Sequence, residues 1–501
     1  MRLFEILLLF FNVCLLSSLF VTNPRIRKLA LLFTSGISLL LLVIHLLIEG
    51  YRIQLLFLYG FTILMYIRSI INARRTPKTI PNTSRIGKVL GRLVSIIGLI
   101  ATACLLYIFP VFDLPAPTGS LPVSTTTFHF TNNQQPDIFG TSGKSNRELM
   151  VQVWYPSEAS TGKYVPFIPD TAILPYLAQN YSIPGFTFQH LQYVSSHSYS
   201  ESALSSAQTS YPLIIANPGN ASSRFLHTSQ AENLASHGYI VAVIDHTYNT
   251  FATKFPDGRI TTSTTDNLFS PDHDYQTERA NRNKLGKVLT DDVTFVLDQF
   301  QLIQSGSIPS LFKGKIDFAH IGVFGHSIGG ATAYDASYDP RITAGIDLDG
   351  GLYRLHDRTG LHKPFLFIHS ESNFDQFNMV INHHIYTDEE IQRTGNSKEW
   401  FIQERENKKL ELQQIHETIA SGGQVIYIKN TEHLNFTDVQ FVSPIFKMIG
   451  ITGKIAPERA SSIIDAYMLD FFDMHLKNKG GVLMKGSDHT FPEATFVTSL
   501  F

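Results

Sequence analysis

The residues best suited to chemistry in this chain form a Gly-x-Ser-x-Gly-Gly segment centred on Ser327. An apolar stretch, Ile321–Phe324, precedes it, and a helix-forming stretch from Ala331 to Ser337 follows. A strand that turns sharply into a helix exposes a serine hydroxyl at the tip of the turn, where side chains larger than glycine at Gly325 and Gly329 would clash. The pattern therefore predicts a nucleophile elbow with Ser327 as the nucleophile.

A serine nucleophile needs a general base and a carboxylate that orients the base. His433 follows the last predicted strand, Val425–Ile428, which is the usual position of a catalytic imidazole in a parallel sheet. Three carboxylates follow earlier strands: Asp349 after the sixth, and Glu371 or Asp375 after the seventh. Spacing alone does not choose among the three.

The other histidines near these segments are expected to have different roles. His326 precedes the nucleophile and should point away from it in an elbow, and His246 at the end of the fourth strand is expected to be structural. His383 and His384 lie beside acidic residues, but their spacing fits neither of the helical zinc motifs. We therefore expect no metal and no cofactor.

The elements that must position these residues alternate between strands and helices. Amphipathic helical stretches, such as Ser229–His237 and Leu285–Ile303, lie between the later strands. This alternation predicts an α/β fold with a mostly parallel central sheet covered on both faces, and a serine after the fifth of eight strands is typical of an α/β-hydrolase. The predicted strands are Thr125–Phe130, Leu149–Tyr155, Leu213–Ala216, Ile240–Ile244, Ile321–Phe324, Ile342–Leu348, Phe365–His369 and Val425–Ile428.

The predicted catalytic domain spans residues 123–480 and is followed by a C-terminal tail, residues 481–501. Two long polar segments, residues 164–210 and 249–285, do not fit the alternation and are predicted to be insertions that either wall the substrate pocket or decorate the surface. Their aromatic side chains are suited to an apolar acyl pocket. These side chains are Phe167, Tyr176, Tyr181, Phe186, Phe188, Phe251, Phe255 and Phe269.

Residues 1–112 have a different composition, which predicts an all-α transmembrane domain of about four helices. The apolar runs Leu3–Val21, Leu29–Ile48, Ile53–Ile71 and Leu93–Phe112 are each near the ~20 residues that cross a bilayer as a helix. The first run alone also fits a cleaved signal peptide. Residues 113–122 form a Pro-rich linker that cannot continue a helix.

The loop charges predict an orientation for this domain. Residues 1–112 carry twelve Lys/Arg and two Asp/Glu, and most of the basic residues lie in the first and third loops. By the positive-inside rule these loops are cytoplasmic, so the catalytic domain is expected outside the cell membrane. Because the basic residues flank apolar runs and form no single patch, a nucleic-acid partner is not expected. Both cysteines, Cys14 and Cys104, lie in the apolar runs, which excludes a cysteine nucleophile from the catalytic domain.

Four separated blocks of the sequence have a familiar pattern. They are Asn233–Val243, the Gly325-His-Ser-Ile-Gly-Gly-Ala-Thr332 segment, the strand end Gly345-Ile-Asp-Leu-Asp349 and His433-Leu-Asn-Phe436. Together they resemble the plasma-type platelet-activating-factor acetylhydrolases, a branch of the serine esterases. The resemblance covers roughly residues 140–480, and residues 1–112 match nothing in the secreted members of that family.

The resemblance has implications for the site. It implies that Asp349 is the acid, because the family carries its acid after the sixth strand, and that hydrolysis needs no calcium. It also implies an oxyanion hole formed by the backbone N–H groups of Ile328 and Asn220. Pro218-Gly219 stands where the family has a His-Gly turn, a difference that concerns the substrate pocket and leaves the backbone donor in place.

The predicted function is that of a membrane-anchored serine hydrolase that cleaves carboxylic esters. Short-acyl esters or the sn-2 acyl groups of phospholipids are the expected substrates, cleaved by a Ser-His-Asp triad through an acyl-enzyme. An acyltransferase or a general lipase on the same triad is an alternative, as is a non-catalytic receptor with a hydrolase fold. The expected partners are an ester or lipid and the membrane, and the sequence gives no oligomeric state.

Overall fold

The computed structural model of the chain describes residues 2–74, 85–140, 146–158, 161–265, 268, 274–394 and 396–497. The described residues up to Ile108 form a helical bundle, and the described residues after it form a domain in which helices cover a mixed sheet. This arrangement confirms the predicted fold class.

In the part of residues 2–108 that the structure describes, the bundle has four α-helices. Their bounds are Leu3–Ser18 (α1), Pro24–Ile48 (α2), Leu56–Arg74 (α3) and Arg85–Ile108 (α4). Three helical stretches, Pro24–Ile48, Ile53–Arg74 and Ile86–Ile108, are long and apolar enough to cross a membrane.

The first of the four predicted spans is shorter than expected. α1 has 16 residues, so at ~1.5 Å per residue it falls short of a ~30 Å hydrocarbon layer. It also buries three polar side chains, Glu5, Asn12 and Ser18, inside the bundle. The Asn12 side chain donates to the Leu8 carbonyl and accepts from the Thr62 hydroxyl. α1 therefore packs along the longer helices as a short, partly polar element.

Buried ion pairs join the ends of these helices on one side of the bundle. Glu5 accepts from Arg52 at 2.7 Å and from Arg2 at 2.8 Å. Arg52 also donates to the carbonyl of Phe109, just beyond the end of α4. The chain start, the α2–α3 loop and the exit from α4 thus lie together, at the end of the bundle that leads into the α/β domain.

The α/β domain is built on one large sheet. The strands β7 and β8 form a separate pair, and the others belong to the large sheet. The strands are β1 Val123–Pro136, β2 Asn146–Pro156, β3 Tyr164–Pro166, β4 Ser195–Ser200, β5 Tyr211–Asn217, β6 Ile240–Asp245, β7 Ala252–Lys254, β8 Ile260–Thr262, β9 Ile316–His326, β10 Ile342–Leu348, β11 Phe365–Ser370, β12 Gln424–Ile428 and β13 Ala494–Phe496. The order in the sheet is β13-β12-β11-β10-β9-β5-β6-β2-β1-β4-β3.

The central six strands, from β12 to β6, are parallel. Their carboxyl ends therefore meet at one edge, where ligands bind in open α/β sheets. The eight strands predicted from the sequence are all present.

Helices cover both faces of the sheet. They are α5 Leu174–Asn180, α6 Thr228–Ser236, α7 Tyr275–Ser305, α8 Ile328–Ala336, α9 Glu371–Ile381, α10 Asp388–Thr394, α11 Lys398–Ala420, α12 Val439–Val442, α13 Ile445–Met448 and α14 Pro457–Lys477. α6 and α14 contribute to the apolar core on one face, and α7 and α8 to the core on the other. The strand residues are buried on both faces, as is usual for a parallel sheet under helices.

Three segments at the expected domain boundaries are part of the fold. The predicted tail contains β13, which pairs antiparallel with β12, so the sheet extends beyond residue 480. The first insertion contributes β3 and β4 to the opposite edge. In the linker, Leu114 is buried, and the Thr118 and Gly119 N–H groups donate to α6 side chains. Short strands such as β13 and β3 have three residues each, too few for a periodic pattern in the sequence.

Candidate active site

Ser327 lies in a strained turn between β9 and α8. Its φ of 57° and ψ of −124° fall in a region that non-glycine residues rarely occupy. The Ser327 N–H donates to the Leu348 carbonyl at the end of β10, and the Ser327 carbonyl accepts from Gly330 and Ala331. These hydrogen bonds hold the turn at the carboxyl edge of the sheet.

The glycines around Ser327 are required by contact with neighbouring backbone. A Cβ on Gly325 would lie 2.0 Å from the Gly329 carbonyl oxygen, and one on Gly329 would lie 2.0 Å from the Asn217 carbonyl oxygen. Neither atom belongs to a flexible side chain, so neither residue can be enlarged without moving a strand. The spacing of glycines in the sequence thus has a direct steric cause in the structure.

His433 and Asp349 are brought together from sequence positions 84 residues apart. The distance from His433 Nδ1 to Asp349 Oδ2 is 2.7 Å, and the other carboxylate oxygen accepts from the Ser370 N–H at 2.6 Å. Asp349 is buried, whereas the His433 side chain is 47% exposed. Since Asp349 accepts from the Nδ1–H group of His433, the Nε2 atom of His433 does not take part in this hydrogen bond.

The electrostatics of Asp349 favour the carboxylate. Burial acts to raise its pKa, but the hydrogen bond and charge of His433, with smaller contributions from His369 and the Ser370 N–H, hold the pKa below its usual value. Asp349 is therefore an anion at neutral pH, which stabilises the Nδ1–H tautomer of His433 and its protonated form.

The two alternative acids are directed elsewhere. Glu371 accepts from the Asn430 backbone N–H at 2.9 Å, and Asp375 is exposed to solvent. Of the residues that the structure describes, Asp349 is the carboxylate paired with His433.

Ser327 and His433 line the same pocket, whose volume is about 630 Å³. The apolar part of its lining includes Tyr176, Leu177 and Phe251, and amide and hydroxyl groups contribute the polar part. A cavity of this size and mixed lining is typical of small-molecule sites.

The pocket also contains the backbone that the resemblance assigns to the oxyanion hole. Ile328 is the first residue of α8, so its N–H has no partner within the helix and lies next to the nucleophile. Asn220 lies on the pocket wall, and its side-chain oxygen accepts from the Thr265 hydroxyl at 2.9 Å.

The aromatic residues of the insertions divide into several groups. Tyr176, Tyr181 and Phe251 line the pocket, whereas Phe167 and Phe188 are buried in the apolar cluster behind it. Phe186 is exposed, and Phe255 packs against Arg259. Phe269 lies outside the described residues.

His326 has a role that the sequence analysis missed. Its Nε2 donates to the His433 backbone carbonyl at 2.9 Å, and the two rings lie 4.4 Å apart. Burial, and then the neighbouring His433 and His227, keep the pKa of His326 well below its usual value. His326 is thus neutral, and its hydrogen bond supports the backbone of His433. The signal for it was the position next to the nucleophile, but its partner comes from a distant segment.

Two further residues support the site and were also missed. Asp347 accepts from the Gly350 N–H at 2.7 Å beneath the elbow, and burial, then the charge of Asp349, raise its pKa well above the usual value. Asn435 accepts from the Glu432 and Gly453 N–H groups and fixes the turn that carries His433. Only long-range contacts reveal these roles.

The described residues contain no group of three or more His, Cys, Asp or Glu side chains arranged to hold a metal ion. His384 instead pairs with Glu390 at 3.2 Å.

Comparisons with known proteins agree with this architecture. Residues 114–491 match the family described as platelet-activating factor acetylhydrolase, isoform II. A platelet-activating factor acetylhydrolase of Cavia porcellus is 25% identical, over 72% of this chain and 81% of that protein. A probable 1-alkyl-2-acetylglycerophosphocholine esterase of Arthroderma benhamiae is 25% identical, over 57% of this chain and 66% of that protein.

Among solved structures, a ferulic acid esterase from Streptomyces cinnamoneus is similar in fold. It aligns with a TM-score of 0.58 and 24% identity, over 78% of this chain and all of that one. The chain described here belongs to the platelet-activating factor acetylhydrolase isoform II family and is a carboxylic ester hydrolase.

Proposed function

We propose that the protein is a membrane-anchored serine esterase that cleaves short-acyl esters, including sn-2 acyl groups of phospholipids, with Ser327, His433 and Asp349 as its triad. The observation that carries this proposal is the 2.7 Å contact between His433 and Asp349 beside a pocket that the elbow residue Ser327 also lines. The names of the relatives support the choice of substrate class.

In the proposed reaction the triad acts once in acylation and once in deacylation. His433 Nε2 takes the Ser327 proton as the hydroxyl oxygen attacks the ester carbonyl, and the same proton then goes to the leaving alcohol. Water, activated by His433, hydrolyses the acyl-enzyme and restores Ser327. Backbone N–H groups of Ile328 and Asn220 stabilise the tetrahedral oxyanion, and one such donor typically contributes about 3–4 kcal/mol.

The proposed anchor is the helical bundle. Three of its helices are long and apolar enough to cross a bilayer, and the basic residues Arg25, Arg27 and Lys28 lie at the end opposite the catalytic domain. By the positive-inside rule the catalytic domain then faces the outside.

Replacement of the nucleophile tests the proposed function. Ser327→Ala should abolish ester hydrolysis and labelling by a fluorophosphonate probe, because no other described serine occupies an elbow. Circular dichroism of the purified full-length chain would establish that the variant is folded. Persistent labelling of folded Ser327→Ala would refute the assignment, and transfer of the acyl group to an added alcohol in preference to water would identify an acyltransferase.

A further inference from the structure

The end of the helical bundle that faces the catalytic domain contacts two walls of the active-site pocket. We call this end the docking end and define it by Arg2, residues 49–54 and residues 108–112. It touches the first insertion on one side and the segment after His433 on the other.

The first wall is attached through two hydrogen bonds. Gln54 donates to the Thr187 carbonyl at 3.0 Å, where both residues are buried, and Tyr193 donates to the Tyr51 carbonyl at 2.8 Å. A Cβ on Gly50 would lie 2.6 Å from the Tyr193 hydroxyl, so glycine permits this close approach.

The contact continues from this attachment to the pocket. Phe188, next to Thr187, packs edge-on against Tyr181 with ring centroids 6.0 Å apart. Tyr181 lines the pocket and stacks on Phe446 at 5.4 Å. Phe188 and Tyr181 therefore connect the segment that the α2–α3 loop binds to the substrate space.

The second wall is attached through the segment that carries the catalytic histidine. Ser443 donates to the Ile108 carbonyl at 2.6 Å, and Phe441 stacks on Phe112 with centroids 6.2 Å apart. Val439, four residues before Ser443, lines the pocket. The segment Val439–Ser443, which begins six residues after His433, thus both lines the pocket and contacts the docking end.

One apolar cluster joins the two walls. It contains the pocket residues Leu177, Leu226, Phe251 and Val439 together with Leu114, and Phe112 packs against it. Because close-packed interiors transmit displacement, loosening the docking end should shift the apolar side of the pocket more than the triad, which is held by the sheet edge.

We propose that the docking end positions the two pocket walls and thereby sets acyl-chain specificity, which makes Gln54, Tyr193 and Ser443 positioning residues. This inference rests on the proposed function of the same pocket. The bundle then has a role beyond anchoring, because the shape of the acyl site depends on its contact with the catalytic domain.

The test compares two esters on the full-length chain in phosphatidylcholine nanodiscs. p-Nitrophenyl acetate makes little use of the acyl pocket, whereas p-nitrophenyl octanoate fills it. In the triple variant Gln54→Ala, Tyr193→Phe, Ser443→Ala, kcat/KM for octanoate should fall at least about threefold more than that for acetate, within the range of coupling through packed networks. The change should appear mainly in KM, because the triad is not displaced.

The control is Gln192→Ala, whose side chain donates to the Gln189 carbonyl three residues earlier and, among the described residues, forms no hydrogen bond to the bundle. It should keep the wild-type octanoate-to-acetate ratio. A wild-type ratio in the triple variant, with hydrolysis still dependent on Ser327, overturns this inference alone. Hydrolysis that survives Ser327→Ala counts against the proposed function instead.

A second measurement serves if the triple variant does not fold. A protease site inserted after the exposed Ala116 allows the otherwise unchanged full-length chain to be cut between its two parts. The docking contacts should hold the cut parts together during gel filtration in mild detergent, with the ester ratio unchanged. Separation of the two parts under these conditions overturns the proposal.

Discussion

Asp347 and Asp349 leave the same strand end but have opposite electrostatic roles. Asp349 reaches His433 and is held as a carboxylate, whereas burial raises the pKa of Asp347 and favours its protonated form. Asp347 lies within β10, whereas Asp349 follows the end of the strand with a φ of 56°, so the two carboxyl groups reach different partners.

Replacing Asp349 should therefore impair catalysis and leave substrate binding largely intact. Asp349→Asn should lower kcat by about 10⁴-fold, because an amide at this position favours the wrong tautomer of His433. Steady-state kinetics with p-nitrophenyl butyrate measure the effect. Glu371→Gln is the matched control and should remain within about threefold of wild type, because Glu371 caps a turn and does not contact His433. A large loss in the control with little loss in Asp349→Asn would place the acid after β11.

For individual residues, the sequence predicted the types of the functional side chains better than it predicted their contact partners. Ser327 and His433 follow from spacing and strand order, because an elbow has a strict glycine requirement. Spacing could not separate Asp349 from Glu371 and Asp375, because all three follow strand ends. The family resemblance favours Asp349, and in the structure Asp349 contacts His433.

At the scale of elements, α6 carries a buried carboxylate that couples stability to pH. Glu232 accepts from the His197 N–H and the Ser198 hydroxyl, and it is fully buried. Burial, opposed by these hydrogen bonds, raises the pKa of Glu232 to about 8. The folded chain thus retains a proton that the unfolded chain has already lost above pH ~4.5.

We expect Glu232 to contribute a fall in the thermal midpoint of the solubilised chain as pH rises from about 5 to 8. The native state binds the extra proton in this window, so stability decreases with pH and levels off once Glu232 is ionised in both states. Asp438, whose pKa burial raises to about 7, acts in the same direction. In Glu232→Gln the fall should be smaller, whereas the exposed Glu458→Gln should behave as wild type. An unchanged pH profile in Glu232→Gln would contradict this reading of the site.

The strands were more predictable than the segments that complete the sheet. The central strands are continuous apolar runs that are buried on both faces, and these give a strong signal. β3 and β13 are too short for a periodic pattern and are defined by pairing with β4 and β12. α1 is apolar enough to resemble a span, but its length and its pairing of Glu5 with Arg52 depend on the packed bundle.

At the scale of the whole molecule, the bundle and the catalytic domain meet at the end opposite the basic loop residues. Phe109 and Phe112 continue from α4 into the apolar cluster behind the pocket. The expected outside position of the catalytic domain can therefore be tested at two points on the chain.

We expect impermeant maleimide to label Asp257→Cys in intact cells and Thr22→Cys only after permeabilisation. Both positions are exposed, Asp257 on the catalytic domain and Thr22 in the α1–α2 loop, and the background would lack Cys14 and Cys104. The loop between α1 and α2 precedes three basic residues, and by the positive-inside rule we expect it to be cytoplasmic. The reverse labelling pattern would invert the proposed orientation.

The attachment of the pocket to the proposed membrane anchor also bears on the substrate. An acyl chain drawn from a bilayer into the site forfeits about 0.8 kcal/mol for each methylene that the pocket does not cover. The walls of the pocket of about 630 Å³ belong to the packed cluster that the docking end contacts, which limits the room for a long chain. We therefore expect kcat/KM for phosphatidylcholines to be highest with an sn-2 acetyl or butyryl group and to fall up to about tenfold for every two uncovered methylenes. Release of the sn-2 acid from nanodisc lipids with acetyl, butyryl, octanoyl and palmitoyl groups measures the series, with Ser327→Ala as the blank. A maximum at palmitoyl would identify a general lipase whose pocket opens to accommodate the full chain.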